Sequence, residues 1–197
     1  MTQGDGGIVT KKMMLMLIAT SLILIITGCT SSSDNEATNT IEYYEEMMDT
    51  YEDLGTINDE GLTIIEGFFA IITRIDNDED EDDIEGDIND NLDSLESVKE
   101  SNQDFREMVL NNANQGSWDN DDSSNMILIL DNIEIAMDDL DQAHINLIQY
   151  NESRNKDESQ ILEVMMDIGV IQDLLLNNRE RIEDNIEVFY YRIQNHG

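Results

Sequence analysis

The sequence has no proline, a single cysteine, two histidines and one tryptophan among 197 residues, with only 10 basic side chains against 45 acidic ones. One cysteine excludes an internal disulfide framework, and without a Cys/His cluster no zinc site can be assembled. Two histidines leave little material for acid–base catalysis near neutral pH. No serine has the partners of a nucleophilic triad, so no enzymatic activity is expected. The net charge of −35 excludes nucleic acid and anionic lipid surfaces as partners held by charge attraction, because both are themselves negative. The longest apolar run falls short of the ~20 residues that a comfortable membrane-spanning helix needs. What is present is acid, isoleucine, leucine and methionine in a regular pattern.

That apolar run opens the chain. Lys11 and Lys12 precede uncharged, mostly apolar residues from Met13 to Ile26, followed by Thr27, Gly28 and Cys29. A positive start, a short apolar stretch and small residues before a cut site make a secretory signal. The tetrad Ile26-Thr27-Gly28-Cys29 resembles the lipobox of prokaryotic lipoproteins. The resemblance implies removal of residues 1–28, a diacylglyceryl group on the Cys29 sulfur and a place on the outer face of the cytoplasmic membrane. Two acyl chains would anchor the protein stably, where one would be marginal. No other cofactor is expected. Residues 1–8 hold an acid and three glycines where a signal should begin with its basic residues, so translation is expected to start at Val9 from a GTG codon.

Residues 1–28 contain one acid and two bases, so the chain from Cys29 onward carries 44 acids and 8 bases, net −36, with Lys99 and Lys156 its only lysines. Such self-repulsion must be screened, and the Debye length falls from about 8 Å at physiological salt to about 3 Å at 1 M. Many acids with almost no lysine is the pattern of proteins from salt-loving prokaryotes. An acidic cation-binding protein is the alternative.

Residues 29–40 are polar and aperiodic and read as a tether after the lipidated cysteine. Asn39, with Glu42 three residues on, is a capping-box-like start. A first helix follows, with Ile41, Tyr44, Met48, Tyr51, Leu62, Ile65, Phe69 and Ile72 on one seam and Gly55 and Asn58 at its middle. A second runs from about Asp83, carried by Ile84, Ile88, Leu92, Leu95, Phe105 and Val109. The third steps strictly by four and three through Met126, Leu130, Ile133, Met137, Leu140, His144 and Leu147. The fourth carries Ile161, Met165, Ile168, Leu175, Ile182, Ile186, Phe189 and Ile193, with Gln172 and Arg179 in its seam. This alternation predicts an all-α, up-down-up-down four-helix bundle over 41–197 with coiled-coil-like heptad packing. Two long hairpins completed by homodimerisation are the alternative architecture. Breaks fall near 76–83, 112–123 and 152–158. Gly55, Gly61 and Gly67 are expected to weaken or bend the first helix, at about 1 kcal/mol each relative to Ala. Antiparallel counting brings Asn58, Asn102 and Gln172 to one level, a polar layer that would fix helix register. The same counting puts Trp118 at the end where the tether enters, capping the core.

The candidate sites are few. The turn containing Asp76, Asp78, Asp80 and Asp82 could collect cations, but an EF-hand needs glycine at its sixth position and a carboxylate, normally Glu, at its twelfth; the chain offers Glu81 and Asp87 there. Asp141 and His144 match half of a di-iron motif whose other half is missing. Arg179 reads as an ion-paired or snorkelling residue near the open end of the bundle. Asn151-Glu152-Ser153 is a glycosylation sequon in the last turn. His144 with the facing aromatics Phe68 and Phe69 could line a small-ligand pocket. The pattern favours a membrane-anchored acidic bundle serving as a spacer or as an interaction module for a protein partner; a ligand-binding or sensor bundle is the alternative.

Overall fold

The computed structural model describes residues 40–77, 81–152 and 158–195, which form four helices and, among these residues, no strand. They are α1 (Ile41–Asp76), α2 (Glu81–Gln115), α3 (Asn120–Glu152) and α4 (Glu158–Asn195). Ile26, Thr27, Gly28 and Cys29, the tether up to Asn39, and Asp78 and Asp80 lie outside the described residues.

Local chemistry sets the helix ends. Thr40, in extended conformation, caps α1, its Oγ1 accepting from the Tyr43 N–H at 3.2 Å. The cap therefore falls one residue after the expected Asn39. Glu42 then sits inside the first turn, where a carboxylate complements the helix dipole instead of closing a capping box. At the end of α2 the expected 112–123 break shrinks to 116–119. Gly116 takes a left-handed φ of 71°, and its N–H and that of Ser117 donate to the carbonyls of Ala113 and Asn112. This reciprocal pair closes a helix with a glycine that carries no Cβ penalty there. Asp119 restarts the chain at once, its Oδ1 accepting from Asp121 N at 2.8 Å. α2 likewise starts at Glu81, ahead of the expected Asp83.

Contacts between neighbouring helices run in opposite residue order. Arg74 of α1 pairs with Asp87 of α2, while Asn91 reaches back to Ile64. Lys99 of α2 bridges Asp138 and Asp141 of α3, and Arg106 bridges Asp131 and Glu134. Asn178 of α4 meets Ile129 of α3, and the ring of Phe189 packs on Tyr44 at the start of α1. Adjacent helices are therefore antiparallel, and α4 closes against α1 within one chain. The starts of α1 and α3 share an end, where Tyr43 Oη donates to Asp122 at 2.7 Å and Trp118 Nε1 to Glu46 at 2.9 Å. Trp118 is buried there as a cap on the core.

The core seams differ from the expected ones in three helices; on α2, Leu92 and Phe105 are half-buried while Asn91, Val98 and Asn102 are buried. On α1, Ile41 is exposed and Met48 and Phe69 are half-buried, while Met47, Leu54, Phe68 and Ile75 are buried. α1 touches all three other helices, so its buried face is two seams wide. On α4, Val164, Ile171 and Asn178 are buried in place of Met165, Gln172 and Arg179. A four–three step fixes Ile161, Ile168, Leu175 and Ile182 but leaves open which neighbour completes each pair. Contact with α3 selects the earlier one in this half of the helix. Arg179 accordingly stands at mid-height, not at an open end, with Nη2 2.7 Å from Asp59 Oδ1. α1 also runs unbroken through its three glycines. A Cβ on Gly61 would lie 3.0 Å from both Leu175 Cδ1 and Met137 Cε, so glycine here admits the close approach of two helices.

Candidate functional site

Polar side chains are buried at the four interfaces between adjacent helices, one asparagine at each. Asn91 Nδ2 donates to the Ile64 carbonyl across α2–α1 at 3.1 Å. Asn102 Nδ2 donates to the Leu130 carbonyl across α2–α3 at 3.2 Å. Asn178 Nδ2 donates to the Ile129 carbonyl across α4–α3 at 3.2 Å. Asn58 Nδ2 donates to the Leu175 carbonyl across α1–α4 at 3.0 Å. A carbonyl inside a helix has a spare lone pair, so each asparagine ties one helix to a single height on its neighbour. Asn178 also accepts from Asn132 Nδ2 at 2.9 Å. The Oδ1 atoms of Asn58 and Asn102 are buried and accept nothing, which costs each about 1–3 kcal/mol. The expected polar layer thus contains Asn58 and Asn102, but its third member is Asn178; Gln172 is half-buried at the edge.

His144 lies toward the other end, fully buried, its ring edge-on to Phe68 with centroids 4.7 Å apart. Its Nδ1 is 2.8 Å from the Leu140 carbonyl, which can only accept, so Nδ1 carries the proton. Nε2 then accepts from Asn91 Nδ2 at 3.2 Å. Burial is the main force lowering the His144 pKa; the Leu140 bond and Asp141 oppose it. The imidazole is therefore neutral at pH 7. Protonating Nε2 would set two donors against each other at Asn91.

Phe69 stands apart from this pair, half-buried at the edge of the core. Asp141 turns to Lys99 and shares no site with His144. Asp76 ends α1 and Asp82 lies in the first turn of α2. Among the described residues no group of three or more His, Cys, Asp and Glu side chains is placed to hold a metal ion. Asn151 sits in the last turn of α3, still helical, and Ser153 of its sequon lies outside the described residues. Among the described residues no helix is long and apolar enough to cross a membrane.

The feature that sequence reasoning missed is a cleft of about 470 Å³ between α1 and α2, lined by Glu60, Thr63, Ile64, Asn91, Asp93, Ser94, Ser97 and Val98. Its sequence signal is the pair of small polar residues Ser94 and Ser97 on α2, which line it together with Thr63 of α1. Gly67 belongs to the same arrangement, since a Cβ there would stand 3.0 Å from Asn91 Oδ1. Neither this cleft nor a second one of about 520 Å³ between α3 and α4 is lined by His144, Phe68 or Phe69.

Comparison with protein-family models, with curated proteins and with solved structures finds no match to this chain.

Proposed function

We propose that the protein is a membrane-anchored, surface-exposed acidic lipoprotein of a salt-adapted prokaryote, acting as a spacer or protein-interaction module. In this reading residues 1–28 are removed, Cys29 carries the diacylglyceryl anchor, and residues 29–40 tether the bundle to the outer face of the cytoplasmic membrane. The bundle performs no chemistry and uses no cofactor beyond its lipid.

One observation carries the interaction half of this reading. Leu162, Met166 and Val170 recur every four residues on the solvent side of α4, exposed by 58%, 73% and 71%. Scattered exposed apolar residues are ordinary, but three on one helix face make a patch that calls for a partner. Only Glu163 and Asp167 interrupt residues 159–172 with charge, in a chain otherwise dense with acid. This half of α4 lies at the end of the bundle opposite the start of α1, so a tether entering at Ile41 would hold the patch away from the membrane. A photo-crosslinker at position 166, compared with one at Glu134 in intact cells at native salt, tests it. A discrete adduct formed only from 166 supports the module; the same products from both positions leave the spacer alone. A ligand-binding reading is favoured by one separate observation, the acceptor-lined cleft between α1 and α2.

A further inference from the structure

We propose that the cleft between α1 and α2 binds a small organic cation, an alkylammonium or alkylguanidinium, through Asn91 Oδ1 and the carboxylates of Glu60 and Asp93. The proposal rests on the bundle alone and stands whether or not Cys29 carries lipid.

The polarity of the lining chooses the ligand. Glu60 and Asp93 present carboxylates. Thr63 and Ser94 donate their hydroxyl protons to the helix carbonyls of Asp59 and Asp90, at 3.0 and 2.9 Å, and so turn lone pairs outward. Asn91 is nine-tenths buried, at 9% exposure, and both bonds of its Nδ2 are committed, to the Ile64 carbonyl and to His144 Nε2. Its Oδ1 accepts no hydrogen bond and lies beside Gly67, where an added Cβ would stand 3.0 Å from it. The alternative amide orientation would turn Oδ1 onto the Ile64 carbonyl, acceptor against acceptor, so the bonds within the bundle fix Oδ1 on the Gly67 side, where no side chain covers it. Apart from the Ser97 hydroxyl, every polar side chain of the cleft therefore offers acceptors, and no basic side chain lines it. A ligand that fits brings several N–H donors and a positive charge. Ile64 and Val98 supply apolar wall for its carbon stem. The volume lies in the range of small-molecule sites.

A bare divalent ion fits less well. Calcium takes six to eight oxygen ligands and magnesium demands octahedral geometry, whereas the cleft has two carboxylates. An anion or an acceptor-rich ligand would meet only lone pairs.

Binding would reach the core. A donor on Asn91 Oδ1 polarises the amide, strengthens its bond to His144 Nε2 and is felt at the ring. The test uses the ¹⁵N-labelled full chain in detergent micelles at about 0.3 M KCl, where exposed charges are screened over roughly 6 Å. Agmatine, an ammonium and a guanidinium on a four-carbon stem, is titrated beside 1,4-butanediol and magnesium chloride. We expect saturable shifts at the Asn91 side-chain amide, the His144 ring and the Ser94 and Ser97 amides, with the Asn178 side chain unmoved. Glu60→Gln with Asp93→Asn should raise the agmatine Kd about tenfold, while the remote pair Glu52→Gln with Glu163→Gln leaves it unchanged. Both pairs remove exposed acids from a chain with net charge −35, so each variant is expected to fold. Non-saturating shifts spread over the acidic surface, equal binding by the Glu60/Asp93 variant, or the same shifts with butanediol or magnesium would each overturn the proposal.

Discussion

Replacing Asn102 with leucine should stabilise the bundle, whereas replacing Asn178 with leucine should destabilise it. Both asparagines are buried, both donate to a carbonyl on a neighbouring helix at 3.2 Å, and leucine has a similar volume. They differ at the other end of the amide. Asn178 Oδ1 accepts from Asn132, so leucine there breaks two hydrogen bonds, at about 1 kcal/mol each. Ile129 O keeps its helical bond and Asn132 can turn to water, so no buried orphan remains and the cost is about 1–2 kcal/mol. Asn102 Oδ1 has no partner, and leucine removes that penalty of about 1–3 kcal/mol for the loss of one bond worth about 1. The net change is a gain of roughly 0–2 kcal/mol. Replacing a half-satisfied polar group by a well-packed apolar one often goes this way. The two variants should therefore differ by about 2 kcal/mol, or about 5 °C in Tm for a domain of this size. Urea and thermal unfolding at one fixed high salt concentration measure this. If Asn102→Leu costs as much as Asn178→Leu, the Asn102 oxygen is satisfied in solution and the reasoning fails.

Three further outcomes follow from burial and charge. Gly86 and Gly169 lie inside helices with nothing near an added Cβ, so alanine should stabilise each site by about 0.5–1 kcal/mol in chemical denaturation, while at Gly61 the two 3.0 Å contacts should cancel that gain. Because the folded His144 pKa is lowered by burial, its contribution is fully present above the unfolded value of about 6.5 and is lost as pH falls toward the folded value; His144→Leu should flatten the stability profile as pH falls below about 6.5. The chain should melt higher in about 2 M NaCl than in about 50 mM, with a smaller gain near pH 4, and a salt-independent Tm at pH 7 would remove the argument from like-charge screening.

The helices were legible because four-and-three stepping survives any choice of neighbour. His144, Leu140 and Met137 lie on α3's buried face whichever helices flank it. The α4 seam was half legible: Ile161, Ile168 and Leu175 are fixed by the period, but Val164 or Met165 completes it only once α3 is in place. Gly61 and Gly67 looked like weak points because propensity is local, while their value lies in Leu175, Met137 and Asn91 from other helices. The cleft was hidden for the same reason. Glu60, Thr63, Asp93 and Ser94 read as two solvated faces until Asn91 joins α1 to α2. At the α2–α3 turn the expected break over 112–123 was too wide, although Gly116 with Asp119 three residues on is a local signal for a tight helix-to-helix turn.

The anchored-bundle account is tested most directly by mass spectrometry of the native protein extracted from its own membranes. The account predicts a chain that begins at Cys29, with a diacylglyceryl group on that residue and no peptide from residues 1–28. A chain that retains residues 9–28 and carries a free Cys29 thiol would contradict it.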